Sequence, residues 1–86
     1  MKGEIQDYLR AENNWKKFVI DDEFELRYSR LVNIDVVTIQ EERQRVYFDV
    51  SIVYRHIDGK QMLTYESGVI TIDDKGKIVT MTDRVA

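Results

Sequence analysis

Cysteine and proline are absent from the 86 residues, glycine occurs four times and histidine once. Without cysteine there is neither a disulfide frame nor a thiolate metal site, so a reducing compartment fits best and a small secreted, staple-dependent domain is disfavoured. Without proline every backbone N–H is available for pairing, and no rigid linker interrupts the chain. No apolar run approaches the length of a membrane span, and Met1-Lys2-Gly3-Glu4-Ile5-Gln6-Asp7 has no signal-peptide core. The expectation is a cytoplasmic protein with no membrane partner. A net charge of −3 argues against a basic surface for phosphate backbones, so no nucleic acid is expected either.

What remains is an ordinary globular mixture, 43% hydrophobic and 34% charged, without repeats or low-complexity tracts, read as one domain over 1–86. Its second half alternates apolar and polar residues between three turn signals, Glu41-Glu42-Arg43-Gln44, Asp58-Gly59 and Asp73-Asp74-Lys75-Gly76. That is the pattern of an antiparallel meander, which needs a cover on one face only. The cover is upstream: Ile5, Tyr8, Leu9 and Trp15 recur at helical spacing, and Glu4 and Asp7 precede Lys16 and Lys17 in the order a helix dipole favours. The fold expected is α+β, an N-terminal helix over about 3–17 packed on a curved four- to five-stranded sheet. Strands are expected near 24–31, 33–40, 45–56, 61–72 and 77–85. The first is ambiguous: Phe24, Leu26 and Tyr28 alternate as on a strand, while Asp22 before Glu25 and Glu23 before Arg27 suit a short helix.

Tight hairpins set the register. Centring a turn on Asp58-Gly59 puts Phe48 opposite Val69, Ile52 opposite Tyr65 and Tyr54 opposite Leu63; the last turn puts Thr71 opposite Val79 and Val69 opposite Met81. One face then collects Val37, Ile39, Val46, Phe48, Val50, Ile52, Tyr54, Leu63, Tyr65, Val69, Val79 and Met81 under the helix. The other collects Ile34, Val36, Val53, Met62, Ile70, Ile72 and Ile78, too apolar for plain solvent. Those seven are the expected interface of a homodimer, since a sheet face can be self-complementary about a twofold axis.

Chemistry is harder to find. No catalytic residue is assigned: Asp49 and His56 are the acid–base candidates, and neither has a second titratable partner in the pattern. One histidine and no cysteine exclude the common zinc sites, and Asp21-Asp22-Glu23 lacks the spacing and glycine of a calcium loop, so neither metal nor cofactor is expected. Asp21, Asp22, Glu23 and Glu25 form an acidic surface suited to a basic protein. Tyr8, Trp15, Phe48, Tyr54 and Tyr65 either fill the core or line a small-molecule pocket between helix and sheet.

The helix-then-meander order, with the hairpin Gly68-Val69-Ile70-Thr71-Ile72-Asp73-Asp74-Lys75-Gly76-Lys77-Ile78-Val79 ending in a D-x-x-G-K-I pattern, resembles the cystatin-like superfold. Within it, the resemblance is to the nuclear-transport-factor-like or polyketide-cyclase-like (SnoaL-like) group. It implies dimerisation through the sheet and, in some members, a cavity that binds, isomerises or dehydrates a ligand. This chain is shorter and has fewer helices than typical members. The leading expectation is therefore a non-enzymatic protein–protein interaction module (adaptor, accessory subunit or inhibitor), with a ligand-binding domain second and a small isomerase or dehydratase third.

Overall fold

A computed structural model describes residues 1–21 and 26–83. The first element, α1, is an α-helix over Lys2–Arg10, with Ile5 and Leu9, one turn apart, wholly buried against the sheet. Glu4 lies in its first turn and Arg10 in its last, each complementing the helix dipole. The helix is shorter than the apolar spacing predicts. Ala11 turns extended, and Glu12 and Asn13 take left-handed φ of 52° and 56°, a conformation asparagine tolerates and a helix cannot contain. Asn14 then donates from Nδ2 to the Tyr8 carbonyl at 2.9 Å, satisfying one of the acceptors that every helix end leaves open. The 3₁₀ segment Ala11–Phe18 that follows carries Trp15 and Phe18 into the core at a new angle.

Four strands make one open antiparallel sheet in the order β1-β2-β3-β4: β1 Arg30–Glu42, β2 Arg45–Arg55, β3 Gln61–Ile72 and β4 Ile78–Asp83. The fold is thus α+β, one N-terminal helix on a four-stranded meander. Of the strand expected near 24–31, Arg30 and Leu31 open β1, but the described residues before them form no strand. Leu26–Tyr28 is a single 3₁₀ turn, closed by Ser29 N–H donating to the Leu26 carbonyl at 3.0 Å. The closed 3₁₀ turn satisfies its backbone locally, so the alternation of Leu26 and Tyr28 adds no strand to the sheet. Phe24 and Glu25 lie outside the described residues.

Register corrects the face assignment. His56 N–H bonds the Lys60 carbonyl and Gly59 N–H bonds that of His56, each at 2.9 Å, with Gly59 at φ +92°. The loop is therefore three residues, Ile57-Asp58-Gly59, rather than two, and β3 pairs one residue out from the tight-turn register: Phe48 faces Gly68, Ile52 faces Thr64 and Tyr54 faces Met62. A one-residue slip turns every β3 side chain over. In β1, extra residues Val32 and Val37 bulge outward, 47% and 56% exposed, and rotate Leu31, Ile34 and Val36 towards the helix. Val79 is the extra residue of a third bulge, 60% exposed, leaving Ile78 opposite Ile72 and Met81 opposite Ile70 on the helix side.

The core consequently joins Ile5, Leu9, Trp15, Phe18 and Val19 to Ile34, Val36, Val46, Phe48, Val50, Ile52, Tyr54 and Ile70. Burying each large member contributes about 1.5–3 kcal/mol before chain entropy is subtracted. Gln6 Oε1 also accepts from Val36 N–H at 3.0 Å, so the helix satisfies a donor next to the Val37 bulge.

Candidate functional site

The polar chemistry gathers at the end of the sheet where β1 begins and β2 turns into β3. Tyr54 near the end of β2 and His56 just beyond it both turn inward, and Val19-Ile20 carries Asp21 in from the 3₁₀ segment to meet them. Asp21 Oδ2 accepts from the Tyr54 hydroxyl at 2.8 Å and lies 2.7 Å from His56 Nε2. An ionised carboxylate only accepts, so the imidazole carries its proton on Nε2. Both side chains are closed from solvent, His56 at 1% and Asp21 at 4% exposure. Burial, then the bond to Asp21, push the Tyr54 phenol up to about 12, since each disfavours the phenolate. The Tyr54 ring packs at a tilt against both Trp15 and His56, each 5.5 Å away between ring centres. An oriented imidazole with a carboxylate behind it is an acid–base arrangement in form, and here it also ties the 3₁₀ segment to the sheet.

Outside this buried group lies a cleft of about 730 Å³, walled by Lys16, Arg27, Ser29, Arg30, Arg55 and His56, among others. No acidic side chain among the described residues lines it. Lys16 Nζ donates to the Arg27 carbonyl at 3.1 Å, and Arg55 Nη2 to Gln61 Oε1 at 3.1 Å. The Ser29 hydroxyl, in a residue 7% exposed, has no hydrogen-bond partner among the described residues. None of the four cations was a sequence candidate; only the folded chain gathers Lys16, Arg27, Arg30 and Arg55. A second depression, about 740 Å³, opens at the β1–β2 turn between Glu42, Arg43, Gln44, Arg45 and Tyr47, with mixed charge.

The sequence candidates scatter. Of the expected interface, Ile34, Val36 and Ile70 are at most 2% exposed within the core, and Met62, Ile72 and Ile78 are partly buried against it. Only Val53 stays on the open face. Beside it on that face stand Leu63 and Tyr65, 56% and 70% exposed, with Tyr47 and Val69 half-buried. The β3 slip turned Met62, Ile70 and Ile72 inwards and Leu63, Tyr65 and Val69 outwards, and the bulges turned Ile34, Val36 and Ile78 inwards.

Of the proposed pocket, Trp15, Phe48 and Tyr54 are core residues, Tyr8 is 37% exposed on the helix, and Tyr65 looks the opposite way, so the five line no common space. Asp21 is buried rather than part of an acidic surface; Asp22, Glu23 and Glu25 lie outside the described residues. Asp49 sits on the open face and accepts from the hydroxyls of Thr38 and Ser67 on the two neighbouring strands. Among the described residues, no group of three or more His, Cys, Asp or Glu is placed to hold a metal ion, and no helix is long and apolar enough to cross a membrane.

No family model, curated protein or solved structure matches this chain.

Proposed function

We propose that this chain is a small non-enzymatic protein-binding module that pairs with a second copy of itself through the open face of its sheet. One observation carries the reading. Strand β3 turns Leu63, Tyr65 and Val69 away from the helix while Thr64 and Glu66 face towards it. That is the reverse of the inside-apolar rule for a half-covered sheet. Large side chains set on an uncovered face stabilise nothing in the monomer, and such patches mark contact surfaces.

The size of the face suits a second copy. Four strands at about 4.8 Å and ten residues at about 3.3 Å give a footprint of roughly 600 Å², near the ~800 Å² per partner of a standard interface. The apolar islands Val53–Leu63–Tyr65 and Tyr47–Val69 flank the hydroxyl-bonded Asp49, so a twofold axis lying across the strands sets one island over the other. The cystatin-like resemblance, which implies pairing through the sheet, supports the same reading.

The test is absolute mass by light scattering behind a sizing column, over a hundredfold range of concentration. A dimer that Leu63→Glu and Tyr65→Glu convert to folded monomer is expected. A wild-type chain that stays monomeric throughout, or a dimer indifferent to both variants, overturns the reading.

A further inference from the structure

We infer that α1 is an exchangeable element: the chain straightens at its kink and lays this helix into the core of a second copy, receiving that copy's helix in return. The first observation is the hinge. Ala11 is extended at φ −61°, ψ 130°, and Glu12 and Asn13 follow at left-handed φ of 52° and 56°. Alanine and glutamate are strong helix formers, and left-handed backbone outside glycine is ordinarily met one residue at a time. Local preference and fold therefore oppose each other over three consecutive residues. A short hinge under strain of this kind favours exchange between copies.

Straightening strands no backbone group. In the closed chain the Tyr8 carbonyl accepts from Asn14 Nδ2 at 2.9 Å. In a continuous helix Glu12 N–H takes that carbonyl, Asn13 N–H that of Leu9 and Asn14 N–H that of Arg10, so the backbone itself satisfies the helix end. One copy cannot use the straight form alone. At roughly 100° per residue a continuous helix sets Phe18 half a turn from Leu9, yet both are buried in one core. The kink reconciles them within one chain. Exchange reconciles them between two, with Leu9 in the partner's core and Phe18 in its own.

The seat of α1 is remade unchanged by an identical helix from a second copy. Ile5 and Leu9 are wholly buried, Gln6 Oε1 accepts from Val36 N–H at 3.0 Å, and Lys2 Nζ lies 3.2 Å from Asp35 Oδ1. Among the described residues α1 is joined to the rest of the fold only through the hinge, so no other connection has to move. Withdrawing it uncovers the core, so folded chains exchange slowly, and refolding at high concentration is the route to the exchanged dimer. This contact is separate from the open face: Ile5 and Leu9 lie on the helix side of the sheet, Leu63 and Tyr65 on the other.

The test refolds an equal mixture of isotope-labelled and unlabelled chains from urea across a hundredfold range of concentration. Any dimer recovered from a sizing column is then examined for contacts between labelled and unlabelled copies. A dimer fraction that rises with refolding concentration is expected, with the Val36 amide of one copy against Gln6 side-chain protons of the other. Glu12→Gly relieves the closed form and weakens the continuous helix, and should lower the association constant by roughly tenfold per copy. Asn13→Ala should raise it several-fold. Monomer at every refolding concentration, a dimer whose Val36 and Gln6 contact stays within each copy, or a Glu12→Gly chain that dimerises as the wild type does overturns the inference. Refolding Leu63→Glu separates the two contacts. A dimer that persists there with Val36 and Gln6 paired across copies is the exchange by itself, whereas a dimer lost there, whose pairing was within copies, leaves the open-face contact standing and removes the exchange.

Discussion

Gly68→Ala tests the packing of the core at its tightest point. Gly68 lies on β3 directly across from Phe48, with its missing side chain directed at the ring. An added Cβ would overlap Phe48 Cζ and stand 2.7 Å from Phe48 Cε1 and 3.1 Å from Phe18 Cε1. Neither ring has an easy retreat: Phe48 is wholly buried, Phe18 is 4% exposed, and their centroids lie 6.2 Å apart. Overpacking of this kind costs typically about 1–3 kcal/mol. The lower chain entropy of alanine in the unfolded state returns about 0.4–1 kcal/mol, leaving a net loss of roughly 1–2 kcal/mol.

The assay is urea unfolding followed by Trp15 fluorescence, together with a thermal scan. A chain of this size has a urea slope near 1 kcal/mol/M, so the midpoint should fall by roughly 1–2 M and Tm by about 5–15 °C, with the slope unchanged. Gly3→Ala is the counter-case: it stands inside α1 with nothing within 4 Å of the added carbon, and the gain in helix propensity should stabilise by up to about 1 kcal/mol. Phe48→Leu in the Gly68→Ala background makes room for the methyl, so the double-mutant cycle should show a favourable coupling of about 1 kcal/mol. A Gly68→Ala protein as stable as the wild type, or strict additivity with Phe48→Leu, would refute the contact.

Four further outcomes follow from the same structure. Asp21→Ala removes the acceptor shared by Tyr54 and His56 and should cost about 3 kcal/mol by chemical denaturation, with Tyr54→Phe costing about 1–2 kcal/mol. The Tyr54 phenol binds its proton more tightly folded than unfolded, so its share of stability is whole below the ordinary value of 10.0 and drains away as pH rises towards about 12. Ultraviolet titration should show one late phenolate that Tyr54→Phe abolishes. Arg43 holds a left-handed φ of 51° in the two-residue β1–β2 turn, and Arg43→Gly should stabilise the fold by about 0.5–1 kcal/mol, read as a higher urea midpoint. Finally, Ile70→Glu should abolish folding, seen as loss of amide dispersion, because the site is wholly buried, whereas Leu63→Glu should leave the monomer's fold intact.

Much of the architecture was legible because it depends on local chemistry. The turns at Arg43-Gln44, Asp58-Gly59 and Lys75-Gly76, the alternation between them and the apolar spacing of Ile5 and Leu9 define one helix and four strands without reference to tertiary contacts. The helix end was harder to see, since Trp15 continues the stripe while the backbone at Glu12 and Asn13 has already left the helix. At the site, Asp21, Tyr54 and His56 were each singled out, but their grouping was not legible. Asp21 and His56 are 35 residues apart, and Asp21 sits in a run whose composition says solvent. Nothing in a pattern of spacings announces that one carboxylate of that run turns inwards to a tyrosine hydroxyl and an imidazole. The cationic cleft was hidden for the same reason: Lys16, Arg27, Arg30 and Arg55 are ordinary surface residues until the fold brings three segments to one end.

The decisive error was one of parity, and it shows how a loop sets which side chains face outwards. Asp58-Gly59 suits a two-residue turn, but it also ends a three-residue loop in which a type I turn from His56 is followed by a left-handed glycine. The last hairpin has the same form, with Gly76 N–H bonded to the Asp73 carbonyl at 3.0 Å and Asp73 Oδ1 accepting from Lys75 and Lys77, each at 2.9 Å. Apolar content favoured the shorter loop, because it would have buried Leu63, Tyr65 and Val69 and exposed Thr64 and Glu66. What opposes it is volume: with the observed pairing Phe48 meets the one β3 residue without a side chain, Gly68, and Phe18 can close over both. Fitting two phenyl rings and an indole beneath so short a helix outweighs hiding a leucine and a tyrosine. The apolar side chains that this packing leaves over are the ones now on the open face, where only another surface can cover them.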